Sequence, residues 1–247
     1  MPDILANRLW QQYNWTREGE EWSEWWGSSF TQWVTTVYPR IGSYFPTKSI
    51  LEIAPGYGRW TRFLVQGSEL YRGVDLSQNC VEFCEKRFQS QAHAKFFQND
   101  GRDLSAVGDN KYDLVFSFDS LVHVDMDVMV AYIGQIVGLL APKGVAFLHH
   151  SNFGMYQGPV HNTHWRGTNV TAMGIEQVVK DHGGQLLTQE ILTWGEEYIL
   201  NDCFSLFGRA EDYPNIRPAK IISKMFMEEE VGWAKRVISK YNVFERQ

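Results

Sequence analysis

Residues 49–64 read SILEIAPGYGRWTRFL, and this stretch decides the fold. Residues 50–53 are apolar except for one carboxylate, Glu52, and the chain then breaks at Pro55-Gly56-Tyr57-Gly58. From residue 59 to residue 64, apolar side chains return at helical spacing. The pattern predicts a strand, a tight turn and a helix. In an open parallel sheet such a turn lies at the carboxyl end of a strand, where helix N–H groups point outwards and ligands collect.

Strands and helices alternate along the chain after this turn. Segments of ten to fifteen helical residues between short apolar strands favour a parallel, doubly wound α/β sheet. We predict seven strands, at residues 50–53, 69–77, 94–101, 111–120, 144–151, 185–194 and 198–207. The helices are expected at residues 81–89, 125–140 and 171–182, and the tail at 217–244 is expected to be largely helical.

The composition limits the classes of function. The net charge of −6 gives no basic face for a phosphate backbone, so we expect no nucleic-acid partner. Three cysteines, Cys80, Cys84 and Cys203, are too few for a disulfide framework and lack the paired spacing of a zinc site. The sequence contains neither a long uncharged apolar stretch nor a leader-like N-terminus, so we expect a cytoplasmic protein with no membrane insertion.

Six of the ten tryptophans lie before residue 49. Trp22, Trp25, Trp26 and Trp33 recur at spacings that one helical stripe would share. We therefore expect residues 1–47 to form a helical cap that packs on the sheet and also serves as a lid. The polar and aromatic segment 152–168 is long for a simple connection and predicts an active-site loop. The expected division is cap 1–47, α/β domain 48–210 and C-terminal helical extension 211–247.

The glycine turn allows two kinds of cofactor. A nicotinamide or flavin dinucleotide site would need a third glycine, but that register gives Gly56, Gly58 and Thr61. The observed pattern is instead acid-x-Ala-x-Gly-x-Gly, beginning at Glu52. It resembles the first motif of class I S-adenosylmethionine-dependent methyltransferases, with Ala54 in place of the first glycine. The resemblance covers roughly residues 50–207 and implies a Rossmann-like fold.

The resemblance also implies S-adenosyl-L-methionine as cofactor and a set of residues that hold it. Asp75, 23 residues after Glu52, matches the carboxylate that binds the ribose, and Asp100 matches the acceptor for the adenine amine. The expected cofactor-binding residues are Glu52, Ala54, Pro55, Gly56, Tyr57, Gly58, Thr61, Asp75, Leu76, Ser77, Asp100, Gly101 and Phe118. We expect no metal in the site.

Methyl transfer to a hydroxyl needs a group that removes its proton, and histidine suits this role because its pKa lies near neutral pH. The candidates are His123, His149 and His150, together with Asp119 at the same rim. Asp119 to His123 is similar to the D-x-x-x-H segment of phosphoethanolamine methyltransferases. Adjacent strand residues face opposite ways, and we expect His150 rather than His149 to face the cleft.

The acceptor is suggested by a further resemblance. The segments APGYGRWTRFL, FDSLVHV and FLHHSN, with His164-Trp165-Arg166, are similar to methyltransferases of bacterial surface polysaccharides and related glycosyl compounds. This implies a small-molecule acceptor, a sugar or sugar nucleotide, methylated on a hydroxyl. The expected substrate-binding residues are Tyr13, Asn152, Trp165 and Arg166. A phosphoethanolamine-like acceptor, a non-catalytic cofactor-binding module and a homodimer remain open alternatives.

Overall fold

A computed structural model describes residues 13–156, 165–195 and 199–241 of the 247-residue chain. Its centre is one eight-stranded sheet. The strands are β1 (Ser49–Ile53), β2 (Leu70–Asp75), β3 (Ala94–Gln98), β4 (Tyr112–Ser117), β5 (Leu140–Ser151), β6 (Gly184–Leu192), β7 (Asp202–Arg209) and β8 (Ala219–Ser223).

The strand order is β3-β2-β1-β4-β5-β7-β6-β8. All neighbours are parallel except β7, which runs antiparallel to both β5 and β6. The predicted α/β fold with a mainly parallel sheet is confirmed, but the count of seven strands is wrong. The eighth strand lies in the tail that was expected to be helical, where it pairs in parallel with β6. A five-residue run such as AKIIS is too short for periodicity to separate a strand from a helix.

Helices cover both faces of the sheet. The α-helices are α1 (Ser29–Gln32), α2 (Tyr38–Ile41), α3 (Thr61–Leu64), α4 (Gln78–Arg87), α5 (Met126–Leu139), α6 (Ala172–Asp181) and α7 (Gly232–Tyr241), and a π-helical segment, Trp33–Val37, joins α1 to α2. Side chains alternate along β1, so Leu51 and Ile53 pack in the core under α5 and α6. Ile50 packs in the opposite core with the cap. No helix among the described residues is long and apolar enough to cross a membrane.

The tryptophans of the cap do not share one helical stripe, so this prediction is wrong. Glu20–Trp26 forms a 3-10 helix that ends at Gly27, where φ is 82°. Trp26 and Trp33 are buried in the core, whereas Trp25 is 44% exposed. The break at Gly27 and the π-helical segment after α1 change the angular positions that a continuous α-helix would give.

Arg40 joins three distant parts of the chain. Its guanidinium donates to Glu190 of β6 at 2.7 and 3.0 Å and to Glu230, near the C-terminal helix, at 2.6 Å. It also lies over the Phe204 and Phe226 rings at 5.0 and 5.4 Å. Because these charges are largely buried, removal of the arginine leaves two carboxylates without their common cation.

We expect Arg40→Met to lower the free energy of unfolding by on the order of 3 kcal/mol, because a broken buried ion pair leaves uncompensated charge. Urea unfolding measures the change. Arg17→Met is the matched control: the Arg17–Glu24 pair is more than half exposed on each side, and its loss should cost less than about 1 kcal/mol. Equal losses in the two variants would contradict the structural role assigned to Arg40.

Candidate active site

A cavity lies at the carboxyl ends of β1, β2 and β4. It contains about 1040 Å³ of space between protein atoms, part of which is open to solvent. The predicted site residues in its lining are Ala54, Pro55, Gly56, Tyr57, Asp75, Leu76, Gly101, Phe118, Asp119 and His123. Residues without a predicted role also line it, among them Cys80, Trp60 and Tyr132.

Residues 54–58, the glycine turn, approach the cap closely. Gly56 and Gly58 have φ values of 58° and 83°, in the left-handed region. A Cβ on Gly56 would lie 2.8 Å from the Trp15 ring, and one on Gly58 would lie 2.6 Å from the Phe88 ring. Side chains are therefore excluded at both positions by sterics as well as by φ. Ala54, which replaces the first glycine of the motif, is also left-handed, with φ 57°.

Asp75 connects the glycine turn to the end of β2. Its Oδ2 accepts a hydrogen bond from the Gly56 N–H, and its Oδ1 accepts one from the Ser77 N–H, each at 2.9 Å. Burial raises the pKa of Asp75 to about 6, although both N–H groups favour the ionised form. A buried carboxylate on the cavity wall can accept hydrogen bonds from a diol.

Glu52 and Thr61 lie beneath the turn, outside the cavity lining. The Thr61 hydroxyl donates to Glu52 Oε2 at 2.7 Å, and the Tyr71 hydroxyl donates to the same oxygen. Burial raises the pKa of Glu52 to about 7. These contacts make Glu52 and Thr61 internal supports of the turn. Ser77, which is also buried, starts α4.

Asp100 is exposed and also lies outside the lining. Its Oδ1 accepts from the backbone N–H groups of Arg102 and Asp103, each at 2.8 Å, so it caps a local turn. On this side of the cavity, Gly101 and Tyr132 line the wall. Sequence reasoning missed Tyr132 because a tyrosine in the middle of α5 carries no local signal of a site.

Asp119 and Arg59 form an ion pair at the opposite end of the cavity. Arg59 Nη2 donates to Asp119 Oδ2 at 2.8 Å, and Nη1 donates to the hydroxyl of Ser23 in the cap at 3.1 Å. The guanidinium also lies 4.6 Å from the Trp60 ring centre. Asp119 has φ 61°, which a non-glycine residue adopts only when its surroundings compensate the strain.

His123 is the histidine of the three candidates that lines the cavity. Its Nδ1 lies 3.2 Å from the Trp165 carbonyl oxygen. Because a carbonyl can only accept, Nδ1 carries the proton and the lone pair lies on Nε2. Burial, together with the nearby charge of Arg166, lowers the pKa of His123 to about 4, so the ring is neutral at physiological pH.

His149 and His150 lie inside the sheet rather than in the lining. His149 Nδ1 accepts from the Asp119 N–H at 3.2 Å, and Nε2 donates to Asp202 at 3.0 Å. His150 points to the face covered by α5 and α6. There Nδ1 donates to the Ser151 carbonyl and Nε2 contacts the Ser205 hydroxyl, both at 2.8 Å. The expectation that His150 faces the cleft was thus wrong, because the alternation of β5 turns it to the opposite side from Asp119.

The four residues expected to bind substrate lie around the cavity rather than in its lining. Tyr13 packs on Trp15 and Trp22, with ring centres at 5.0 and 5.5 Å, and both tryptophans line the cavity. The Asn152 side chain bonds to the backbone of Leu200 and Ala172, each at 2.8 Å. Trp165 is 56% exposed, and Arg166 is buried against Asp202. His164 and the rest of residues 157–164 lie outside the described residues.

Within the described ranges, no group of three or more His, Cys, Asp or Glu side chains could hold a metal ion.

Comparison with known proteins finds a family model that matches the part of the chain carrying most of this site. Residues 50–144 match the model of a family described as "Methyltransferase domain". Over 128 residues the chain is 27% identical to the putative methyltransferase YqeM of Bacillus subtilis (strain 168), and the alignment covers 50% of this chain and 49% of YqeM. The chain thus matches about half the length of this curated relative.

Solved structures share the architecture at low sequence identity. The N-methyltransferase NodS from Bradyrhizobium japonicum WM9, in complex with S-adenosyl-L-homocysteine, is 13% identical with a TM-score of 0.58, over 83% of this chain and 96% of that chain. Magnesium protoporphyrin IX methyltransferase (ChlM) from Synechocystis PCC 6803 is 17% identical with a TM-score of 0.57, over 82% of this chain and 98% of that chain. These likenesses confirm the predicted Rossmann-like fold.

The buried Glu52 predicts a specific pH dependence of stability. Its folded pKa of about 7 lies above the ordinary value, so the folded state binds this proton more tightly than the unfolded chain does. Wild-type stability contributed by this group is therefore present at low pH and lost as the pH rises through about 7. Glu52→Gln should gain stability relative to wild type between pH 4.5 and 8, by on the order of 3 kcal/mol.

Urea unfolding of both proteins across this pH range measures the difference. Glu82→Gln is the matched control, because Glu82 is an exposed glutamate on α4 and its replacement should leave the pH dependence as in wild type. A constant difference between Glu52→Gln and wild type at all pH values would show that the Glu52 carboxyl titrates normally.

Proposed function

We propose that this chain is an S-adenosylmethionine-dependent methyltransferase that transfers a methyl group to a hydroxyl of a small molecule. The match to a methyltransferase domain over residues 50–144 and the Rossmann-like fold support this proposal. S-adenosyl-L-methionine is its cofactor; NodS and ChlM have been solved with S-adenosyl-L-homocysteine. The observation that carries the proposal is one cavity with the glycine turn and Asp75 on one side and Asp119 and His123 on the other.

The residues around Asp75 and the glycine turn suit the cofactor. The Asp75 carboxylate would accept hydrogen bonds from the ribose hydroxyls, and Leu76, Gly101 and Tyr132 would enclose the adenine side. The glycine turn lets the backbone come close to the amino-acid part, because no side chain intervenes at Gly56. When bound, S-adenosylmethionine supplies an electrophilic methyl group on a sulfonium. Asp100, expected to meet the adenine amine, is exposed and lies outside the cavity lining.

His123 is the proposed general base. The Trp165 carbonyl accepts the Nδ1 proton, so the lone pair of the neutral ring lies on Nε2, and His123 lines the cavity. A neutral imidazole can take the acceptor's hydroxyl proton as the new bond to the methyl group forms. The chain's remaining task is to hold the acceptor oxygen in line with the methyl group and to keep water out, and Trp15 and Trp22 of the cap lie where they could do so.

Within this class of reaction we propose a sugar or sugar nucleotide as acceptor. Support comes from the aromatic surfaces of Trp15 and Trp22 beside the cavity and from the motif resemblance described above. The fold does not select the acceptor, since NodS is named an N-methyltransferase and ChlM a porphyrin methyltransferase. We also propose a cytoplasmic location and the formation of a homodimer.

A turnover screen tests the acceptor. Sugar nucleotides, free sugars, phosphoethanolamine and simple amines are each incubated with the protein and S-adenosylmethionine, and S-adenosylhomocysteine formation is measured. Conversion with a sugar compound supports the proposal, whereas conversion with phosphoethanolamine or an amine alone replaces it with the alternative acceptor. Failure of the wild-type protein to bind S-adenosylmethionine in calorimetry would overturn the cofactor assignment.

Asp75→Asn should weaken S-adenosylmethionine binding by about tenfold or more, which corresponds to roughly 1.4 kcal/mol. An amide can accept less and would oppose one of the N–H groups of Gly56 and Ser77 that the carboxylate now accepts. Calorimetry measures the affinity, with Asp109→Asn as the control because Asp109 is exposed and outside the lining. Equal affinity of Asp75→Asn and wild type would remove Asp75 from the cofactor site.

His123→Asn should lower kcat by about 10²- to 10⁴-fold, because asparagine keeps a donor near the Trp165 carbonyl but lacks the basic Nε2. Cofactor affinity should be unchanged. The wild-type rate should also show no loss of activity around pH 6.5 from this group, since the pKa of His123 is lowered to about 4. His182→Asn, on the exposed end of α6, is the control. A His123→Asn variant with wild-type turnover would exclude His123 as the base.

A further inference from the structure

We propose that Asp202, at the start of β7, is a positioning residue that fixes the acceptor end of the cavity through two branches, one through His149 to Asp119 and one through Arg166 to His123. The effect of this residue on catalysis depends on the proposed function. Asp202 lies outside the cavity lining, so it acts through the groups that it holds.

The Asp202 carboxylate has two side-chain partners, Arg166 and His149. Asp202 is fully buried. Its Oδ1 accepts from Arg166 Nε at 2.8 Å, and its Oδ2 accepts from Arg166 Nη2 at 2.8 Å and from His149 Nε2 at 3.0 Å. Although burial opposes ionisation, Arg166 and His149 lower the pKa of Asp202 to about 2. The carboxylate is therefore ionised at neutral pH and can only accept hydrogen bonds.

The first branch depends on the tautomer of His149. Since Asp202 can only accept, it holds the imidazole proton on Nε2 and leaves the lone pair on Nδ1. That lone pair accepts the backbone N–H of Asp119 at 3.2 Å. Asp119 has φ 61°, a conformation that costs roughly 1–2 kcal/mol for a residue with a Cβ. The hydrogen bond to His149 helps to hold this strained backbone, from which the Asp119 carboxylate meets Arg59 on the cavity wall.

The second branch passes through the segment 165–167. Arg166 anchors the centre of this segment to Asp202, and its neighbours contact the loop that carries His123. The Trp165 carbonyl accepts from His123 Nδ1 at 3.2 Å, and the Gly167 N–H donates to the Val122 carbonyl at 2.9 Å. The two backbones are so close that a Cβ on Gly167 would lie 2.0 Å from the Val124 carbonyl oxygen.

Replacing the Asp202 carboxylate with an amide tests the hydrogen bonds of this residue while it keeps the packing of the side chain nearly unchanged. Asp202→Asn has nearly the same shape, but its NH₂ group must replace one of the two carboxylate oxygens. In place of Oδ1 it opposes Arg166 Nε, donor against donor, and weakens the Arg166 contact while His149 keeps its acceptor. In place of Oδ2 it opposes Arg166 Nη2 and also moves the His149 proton to Nδ1, where that proton confronts the Asp119 N–H. A general principle of enzyme chemistry is that a buried acid beside a histidine fixes its tautomer, and loss of its charge can select the wrong one.

Nitrogen-15 NMR of the histidine side chains tests the proposal without an acceptor. In wild type, His149 should show the Nε2-protonated tautomer. In Asp202→Asn, an NH₂ group in place of Oδ2 should change the His149 tautomer and move the Asp119 amide signal, and one in place of Oδ1 should weaken the Arg166 contact and shift the His123 titration midpoint. Retention of the wild-type His149 tautomer and of the His123 midpoint in a folded Asp202→Asn protein would overturn the proposal.

Arg166→Lys tests the second branch alone and serves if Asp202→Asn does not fold. Lysine keeps the charge beside Asp202 but cannot make the bidentate contact. We expect the His123 midpoint to move while the His149 tautomer stays as in wild type; an unchanged midpoint would overturn this branch. His150→Gln is the buried control, because His150 contacts Ser151 and Ser205 on the other face, and it should leave both signals in place.

Calorimetry with S-adenosylhomocysteine separates this inference from the proposed function. Both variants should bind it within about twofold of wild type, since Asp75 and the glycine turn are untouched. If the variants lost binding while wild type kept it, Asp202 would not act on the acceptor end alone, and this part of the proposal would be overturned. A wild-type protein that does not bind S-adenosylhomocysteine would contradict the proposed function, while the NMR result would still decide the role of Asp202.

Discussion

The cavity depends on the position of β1 between β2 and β4, where the strand order of the sheet reverses. On one side the chain steps outwards from β1 to β2 and β3, and on the other it steps from β4 to β5. Loops after β1 and β4 therefore diverge and leave a crevice at the carboxyl ends of the strands. Asp75, Phe118 and the glycine turn meet there because Asp75 is the last residue of β2, and Phe118 and the turn directly follow β4 and β1.

The pKa values of three buried carboxylates are shifted in different directions, and their partners explain why. Glu52 and Asp75 are held by hydroxyl and N–H dipoles, which do not offset the cost of burial, so their pKa values are raised. Asp202 faces the full charge of Arg166 in a bidentate contact, and its pKa is lowered. The proposed cofactor side thus contains carboxylates whose pKa values are about 6 and 7, whereas the proposed acceptor side is held by an ion pair between Asp202 and Arg166.

The sequence predicted what local chemistry determines. The glycine turn, the acid at the end of β2 and the alternation of strands and helices are all encoded within a few residues. The eighth strand and the position of Tyr132 in the cavity lining were missed, and the choice of His150 over His149 was wrong. All three depend on contacts between segments that are distant in the sequence. Asp119 illustrates the limit well: its place at the end of β4 was predictable, but its left-handed backbone follows from contacts with His149 and Arg59, which no spacing reveals.

The place of β7 in the sheet links the site to the order in which the chain is synthesised. β7 inserts between β5 and β6, although both of these strands precede it along the chain. Strands β1 to β5 and the glycine turn emerge from the ribosome first, and Asp202 emerges only with the last fifth of the sequence. An incomplete chain that stops before residue 202 lacks the carboxylate that pairs with both Arg166 and His149. The contacts that Asp202 makes can therefore form only after most strands of the sheet have been synthesised.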